Sequence, residues 1–205
     1  MVSQRAPRGV IPAHLQDWVD TRLVSTHLRI VRMMVLGVLI NACAMLLVLF
    51  GTVGTPQLTL FAASTALAGF HRLWAADPRL RGKHRARRLR RAFRWNAWWM
   101  GLNMGVPLAL WLPHVPPGAQ LLQAVCGITQ IASAAYTMRT LPLPATAFIA
   151  LQTLGLAVGL ARIGNAPAAT AVLVLIGAAG MLIRMTFISQ HLFIRRILAD
   201  RELAT

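Results

Sequence analysis

Where the positive charge sits relative to the apolar runs limits this chain more than any other feature. Of its 21 Lys and Arg residues, all except Arg162 fall on one side of a chain threaded back and forth across a bilayer. Arg79, Arg81, Lys83, Arg85, Arg87, Arg88, Arg90, Arg91 and Arg94 crowd into a single connection between two apolar runs. Crossing the hydrocarbon as a helix takes about 20 apolar residues. Runs of that kind cover roughly 33–53, 57–76, 95–115, 119–138, 143–162 and 167–187. The connections Gly51 to Pro56, His114 to Gly118 and Ile163 to Pro167 carry no charge beyond the adjoining Arg162, and the alternate connections carry the rest. Basic loops stay in the cytoplasm, so the pattern predicts its own orientation, with both termini inside.

Composition agrees. A chain that is 57% hydrophobic, with only 5 acids and a net charge of +16, has too much apolar surface for one ordinary soluble core. The runs are continuously apolar and lack the alternation of barrel strands, so helices are expected. The expectation is an all-α, polytopic membrane bundle of six transmembrane helices, N-in and C-in, in a bacterial inner membrane. It divides into a basic cytoplasmic lead-in (1–32), a transmembrane domain (33–187) and a cytoplasmic helix (188–205).

Aromatic placement fits the same frame. Trp95, Trp98 and Trp99 lie at the inner end of the third run, Trp111 near its outer end, and Trp74 at the inner end of the second. Trp and Tyr favour the headgroup level. In the lead-in, Asp17, Asp20 and several arginines precede the first run, a pattern unlike a cleaved signal peptide. Leu15, Trp18, Val19 and Leu23 recur there at helical spacing after Pro12, which predicts an interfacial helix against the inner leaflet.

The run RLRGKHRARRLRRAFR at 79–94 has the charge of a nucleic-acid contact. Its place between two spans favours anionic lipid instead, each basic residue near the leaflet contributing about 1 kcal/mol of attraction. Nucleic acid is therefore not an expected partner. Leu80, Ala86, Leu89 and Phe93 recur every three to four residues, so the run is expected to extend the third helix inward.

Chemistry-bearing residues are scarce. No Asp or Glu occurs between Asp20 and Asp77, or between Asp77 and Asp200, which leaves every span without an acid. Ion-coupled carriers and hydrolases need such groups at membrane depth. Cys43 and Cys126 stand alone at no metal spacing, and His71 and His191, the histidines nearest membrane depth, both lie near the inner boundary. No catalytic residue, metal site or cofactor is expected, and the chain is not read as an enzyme. Asn41, Asn103, Gln123, Gln130, Tyr136 and Gln152 are the candidate lining of an intramembrane ligand pocket, against the alternative that they only pack helices. Gly101-x-x-x-Gly105 and Gly155-x-x-x-Gly159 permit close helix approach, within one chain or in a homodimer.

The last run does not stop at the membrane. After Arg184 the sequence MTFISQHLFIRRILADRELAT contains no Gly or Pro, so the helix is expected to project into the cytoplasm. Phe187, His191, Ile194, Leu198 and Arg201 follow the spacing of a short coiled-coil seam.

These features together resemble a known architecture. A basic lead-in, Leu39-Ile40-Asn41-Ala42 in the first span, Trp74 ending the second, an Arg-rich inner loop and a last span running into a charged helix are similar to the membrane sensor regions that precede GGDEF and EAL domains in bacteria. The resemblance implies a sensory role in cyclic di-GMP signalling, usually as a dimer. Neither motif occurs within the chain, so it is either an input domain separated from its cytoplasmic output domain or one that acts without that partner, and the sensor region of a membrane histidine kinase would look much the same. The alternatives are a small oligomeric transporter and a non-enzymatic membrane scaffold.

Overall fold

The computed structural model describes residues 13–76 and 85–202. The described chain is all-helical: α1 (Ala13–Leu49), α2 (Thr55–Ala75), α3 (Arg85–Trp111), α4 (Pro117–Thr137), α5 (Pro142–Ile163) and α6 (Ala166–Glu202). Each expected run overlaps one helix, with 33–53 and 95–115 running past the ends of α1 and α3. Proline sets several starts, with Pro56, Pro117 and Pro142 in the first turns of α2, α4 and α5, where the missing N–H costs nothing. Gly164, with φ +75°, ends α5 in the left-handed conformation that glycine adopts without strain. Asn165 Oδ1 then accepts the Ala168 N–H at 2.8 Å and starts α6.

Among the described residues three helices are long and apolar enough to cross a membrane: α1 over Thr21–Leu49, α5 over its whole length, and α6 over Ala166–Asp200. The others have the length, since 21 residues make about 32 Å at 1.5 Å rise against about 30 Å of hydrocarbon. Their apolar character is diluted by Gln57, Thr59, Ser64 and Thr65 in α2, by the leading arginines of α3, and by Gln120, Gln123, Thr129 and Gln130 in α4. Leu36, Leu47, Leu60, Phe70, Leu121, Leu173, Val174 and Met181 nonetheless face outward around the bundle. So broad an apolar surface is foreign to water-facing monomers.

One boundary departs from expectation. The lead-in from Ala13 and the first span form one continuous helix with no break at residue 32. Its early part packs into the protein, with Val19, Leu23, Val24 and Val31 buried. The third helix begins at Arg85, ahead of the apolar run, and buries Leu89 and Phe93, as their spacing predicts. Residues 1–12, with Arg5, Arg8 and Pro12, lie outside the described residues, as do Arg79, Arg81, Lys83 and His84.

α5 is the central helix, with 61% of its apolar window buried, against 22% for α1 and 17% for α6. It pairs most extensively with α3, and the two run parallel. The two glycine motifs meet face to face in this contact: Gly105 lies against Leu151 and Gly155, and Gly159 against the Leu108 carbonyl. Both motifs are therefore spent within one chain. Beyond this pair, α1, α2 and α3 pack together on one side, while α6 rests on α5 and α4 through Leu175 and Ala179.

The two ends of the bundle differ. Leu49, Leu58 and Val115 gather the uncharged turns after α1 and α3 at one end. Val24, Val31, Ala75, Leu89, Phe93 and Leu141 gather the arginine-rich start of α3 and the Arg139 turn at the other.

Candidate functional site

Three buried stripes converge near the basic end. On α2, Leu58, Phe61, Thr65, Ala68, Arg72 and Ala75 follow alternating three- and four-residue steps, and all are buried. On α1 the stripe runs through Val24, His27, Val31 and Met34, and on α3 through Leu89, Phe93, Asn96 and Met100. The helical period thus carries Arg72 and His27 into the interior together with their apolar neighbours.

Arg72 is only 5% exposed, so its guanidinium does not reach the surface. Its Nη2 lies 3.2 Å from His27 Nε2 and donates to Met34 Sδ at 3.5 Å. A guanidinium has donors only, so the imidazole nitrogen facing it accepts. Phe93 backs both groups, with the Arg72 Cζ 5.8 Å from its ring centroid and the His27 ring edge-on at 4.7 Å. Arg72 Nε is buried without a hydrogen-bond partner, as is Asn96 Oδ1, and the two residues line a small void together. No carboxylate is among the described neighbours of Arg72. Burying such a cation costs on the order of several kcal/mol. A desolvated cation–π contact returns about 2 kcal/mol, and the position in the last turn of α2 adds a smaller dipole contribution. Among the described residues the positive charge is only partly compensated.

This arginine forms part of the wall of a cavity of ≈ 590 Å³ between α1 and α4, within the size range of ligand sites. On the α1 side the lining runs from Ile30 to Ala44, and on the α4 side from Val125 to Thr137. The fourteen residue steps from Ile30 to Ala44 make the cleft about 21 Å long. Met34, Met100, Met138 and Phe148 form much of an apolar floor. Met33, Ile40 and Tyr136, each more than half exposed, edge a mouth on the flank of the bundle. Arg139 stacks its guanidinium on the Tyr136 ring at 5.1 Å, which places a second cation at the same end as Arg72.

Of the six polar residues expected to form a pocket, Asn41, Gln130 and Tyr136 line this cavity. Asn41 Nδ2 donates to the Cys126 carbonyl at 3.2 Å and ties α1 to α4 beside it. The other three turn elsewhere. Asn103 Nδ2 donates to Thr65 Oγ1 at 2.7 Å, between α3 and α2. Gln152 Nε2 donates to Gln130 Oε1 behind the cavity. Gln123 is 1% exposed, and neither end of its amide has a hydrogen-bond partner. The Thr129 and Thr137 hydroxyls donate to their own helix, to the carbonyls of Val125 and Ser133, so they contribute little polarity to the cavity.

Of the basic run, Arg88, Arg91 and Arg94 are exposed and Arg90 is half-buried; the side chains of Arg85 and Arg87 are outside the described set. The exposed three suit contact with an anionic surface. His71 lies half-buried beside Trp74, and His191 is exposed. Among the described residues no group of three or more His, Cys, Asp or Glu is gathered to hold a metal ion.

Arg72 and His27 are the residues that sequence reasoning missed. Their signal is register: His27 shares the stripe of Val24 and Val31, and Arg72 that of Thr65 and Ala68. No family model, curated protein or solved structure matches the chain.

Proposed function

We propose that the chain is a sensory input region of a bacterial inner membrane, crossing it six times with both termini in the cytoplasm. Its output passes through α6 to a cytoplasmic domain of the GGDEF or EAL kind. The observation that carries this reading is α6 itself, a single uninterrupted helix from Ala166 to Glu202. Its 37 residues make about 55 Å, well beyond the hydrocarbon thickness of about 30 Å. Phe187, His191, Ile194 and Leu198, the seam residues with described side chains, are exposed or half-buried and remain available to a second copy or a following domain. The outer half of α6 instead sits on α5 and α4 through Leu175, Ala179, Leu182 and Ile183. Because α4 also walls the cavity, a change of packing at the cavity reaches α6 through one intervening helix. A ligand shifts such an equilibrium only through unequal affinity for its two states.

The reading is tested by joining a diguanylate cyclase domain after Thr205 and inserting one, two, three or four residues after Gln190. Each inserted residue rotates the following helix by about 100°. Cyclase output that varies with helical phase supports transmission through α6. Output indifferent to all four insertions overturns it.

A further inference from the structure

We infer that the cavity between α1 and α4 binds an amphiphile with one anionic headgroup, the acid pairing with Arg72 and the tail lying along the cleft toward Asn41 and Val125. This names the ligand class for the input region proposed above, and rests on that reading for its consequence but not for the binding itself.

Three observations select this chemistry. The guanidinium of Arg72 is buried with one imidazole and one thioether as polar partners and no described carboxylate, so an incoming acid would supply the missing countercharge. A planar guanidinium suits carboxylate and phosphate oxygens alike. Arg139, held on Tyr136 at the mouth, adds positive potential at the same end, and no Asp or Glu is among the described residues that line the cavity. The remainder of the cleft is apolar and rich in methionine, whose flexible side chains accommodate an irregular alkyl chain.

The geometry also fits the direction in which a membrane amphiphile lies. Arg72 and Arg139 mark the basic end of the bundle, at the inner headgroup level in the proposed orientation, while Asn41 and Val125 lie toward mid-membrane. The mouth between Met33, Ile40 and Tyr136 opens on the flank, so a ligand dissolved in the leaflet enters sideways without crossing water. A fatty-acid carboxylate and a phospholipid phosphate share this chemistry.

The test uses the purified full chain in neutral detergent, with oleate, methyl oleate, dioleoyl phosphatidate and inorganic phosphate as separate probes. Binding is read by native mass spectrometry and by the shift in thermal unfolding. The expected result is one oleate or one phosphatidate per chain, whichever binds tighter naming the source. Methyl oleate and phosphate should each be at least about tenfold weaker, a difference of about 1.4 kcal/mol or more. Arg72→Met should lose the preference for the acid over its ester. Gly37→Phe, which fills the rim where nothing lies within 4 Å of a Cβ, should lose binding with the charge intact. Arg195→Gln/Arg196→Gln, on exposed positions of α6 away from the cavity, should bind as the parent does. Methyl oleate binding as tightly as oleate, an unchanged preference in Arg72→Met, loss of binding in the double variant, or no binding of either acid would each overturn the inference. Such failure leaves the α6 insertion result standing, and indifference to insertions leaves the binding result standing.

Discussion

Substituting Gly155 tests the packing on which the rest of the bundle depends. A Cβ built at Gly155 falls on the Gly105 carbonyl and Cα, which are backbone atoms and cannot rotate away. The reciprocal Cβ at Gly105 would sit 2.6 Å from the Leu151 carbonyl oxygen. Either alanine must therefore push α3 and α5 apart. Overpacking of this kind costs about 1–3 kcal/mol. The better helix propensity of alanine offsets about 0.5–1 kcal/mol of that. The net expectation for Gly155→Ala is a loss of about 1–2 kcal/mol, or roughly 2–8 °C in unfolding midpoint for a chain of this size. Gly177 on α6 is the matched control, since nothing lies within 4 Å of its Cβ position. Gly177→Ala should be neutral, or more stable by up to about 1 kcal/mol. The assay is thermal unfolding of the purified chain in one detergent, followed by tryptophan fluorescence. Equal midpoints for the two variants would refute the close α3–α5 approach, and so the assignment of both glycine motifs to packing within the chain.

The buried arginine makes a further set of outcomes measurable. Arg72→Met, close in volume and free of charge, should leave the unliganded protein as stable as the parent or more so, because an apolar replacement of a buried ion is often neutral or stabilising. A large loss of stability would mean that Arg72 is structural. His27→Leu should cost about 1–3 kcal/mol by stranding the guanidinium, and adding Arg72→Met should recover most of it; additive losses in unfolding would contradict the pairing. Gln152→Leu should cost only about 0.6 kcal/mol, as intramembrane side-chain hydrogen bonds do, and a loss of several kcal/mol in the same assay would assign the Gln130–Gln152 contact a larger role. Neutralising Arg79, Arg81, Lys83, Arg85, Arg87, Arg88, Arg90, Arg91 and Arg94 to Gln should disturb insertion or invert helices, read by reporter fusions at both termini. Unchanged topology would remove the positive-inside role from that run.

The helices were legible wherever the signal was local. Pro56, Pro117 and Pro142 mark starts, Gly164 marks an end, and the spacing of Leu89 and Phe93 brings the third helix back to Arg85. The continuity of α1 was harder to see, because hydropathy changes near residue 32 while the buried stripe of Val24, His27, Val31 and Val35 passes straight through. What hydropathy reports there is a change of solvent on the outer face.

The site depends on pairings that no single helix reveals. Hydropathy places Arg72 only near the inner end of α2, and the rotation of α2 against α1 and α3 sets it against His27 and Phe93. Rotation also separates the polar residues. Asn41, Gln130 and Tyr136 share a cleft while Asn103 faces Thr65 and Gln123 is enclosed elsewhere, and polarity alone does not distinguish the two groups. The parallel glycine contact is another case: each motif signals close approach, but neither names its partner.

Six crossings with the arginine-rich end inside are tested most directly by labelling single cysteines in intact cells. In a Cys43→Ala/Cys126→Ala background, Thr52→Cys, His114→Cys and Asn165→Cys should react with a membrane-impermeant maleimide from outside. Arg139→Cys and Arg195→Cys should react only after the cells are opened. Labelling of Arg139→Cys or Arg195→Cys in intact cells, or protection of any of the first three, would contradict the six-span, both-ends-inside arrangement.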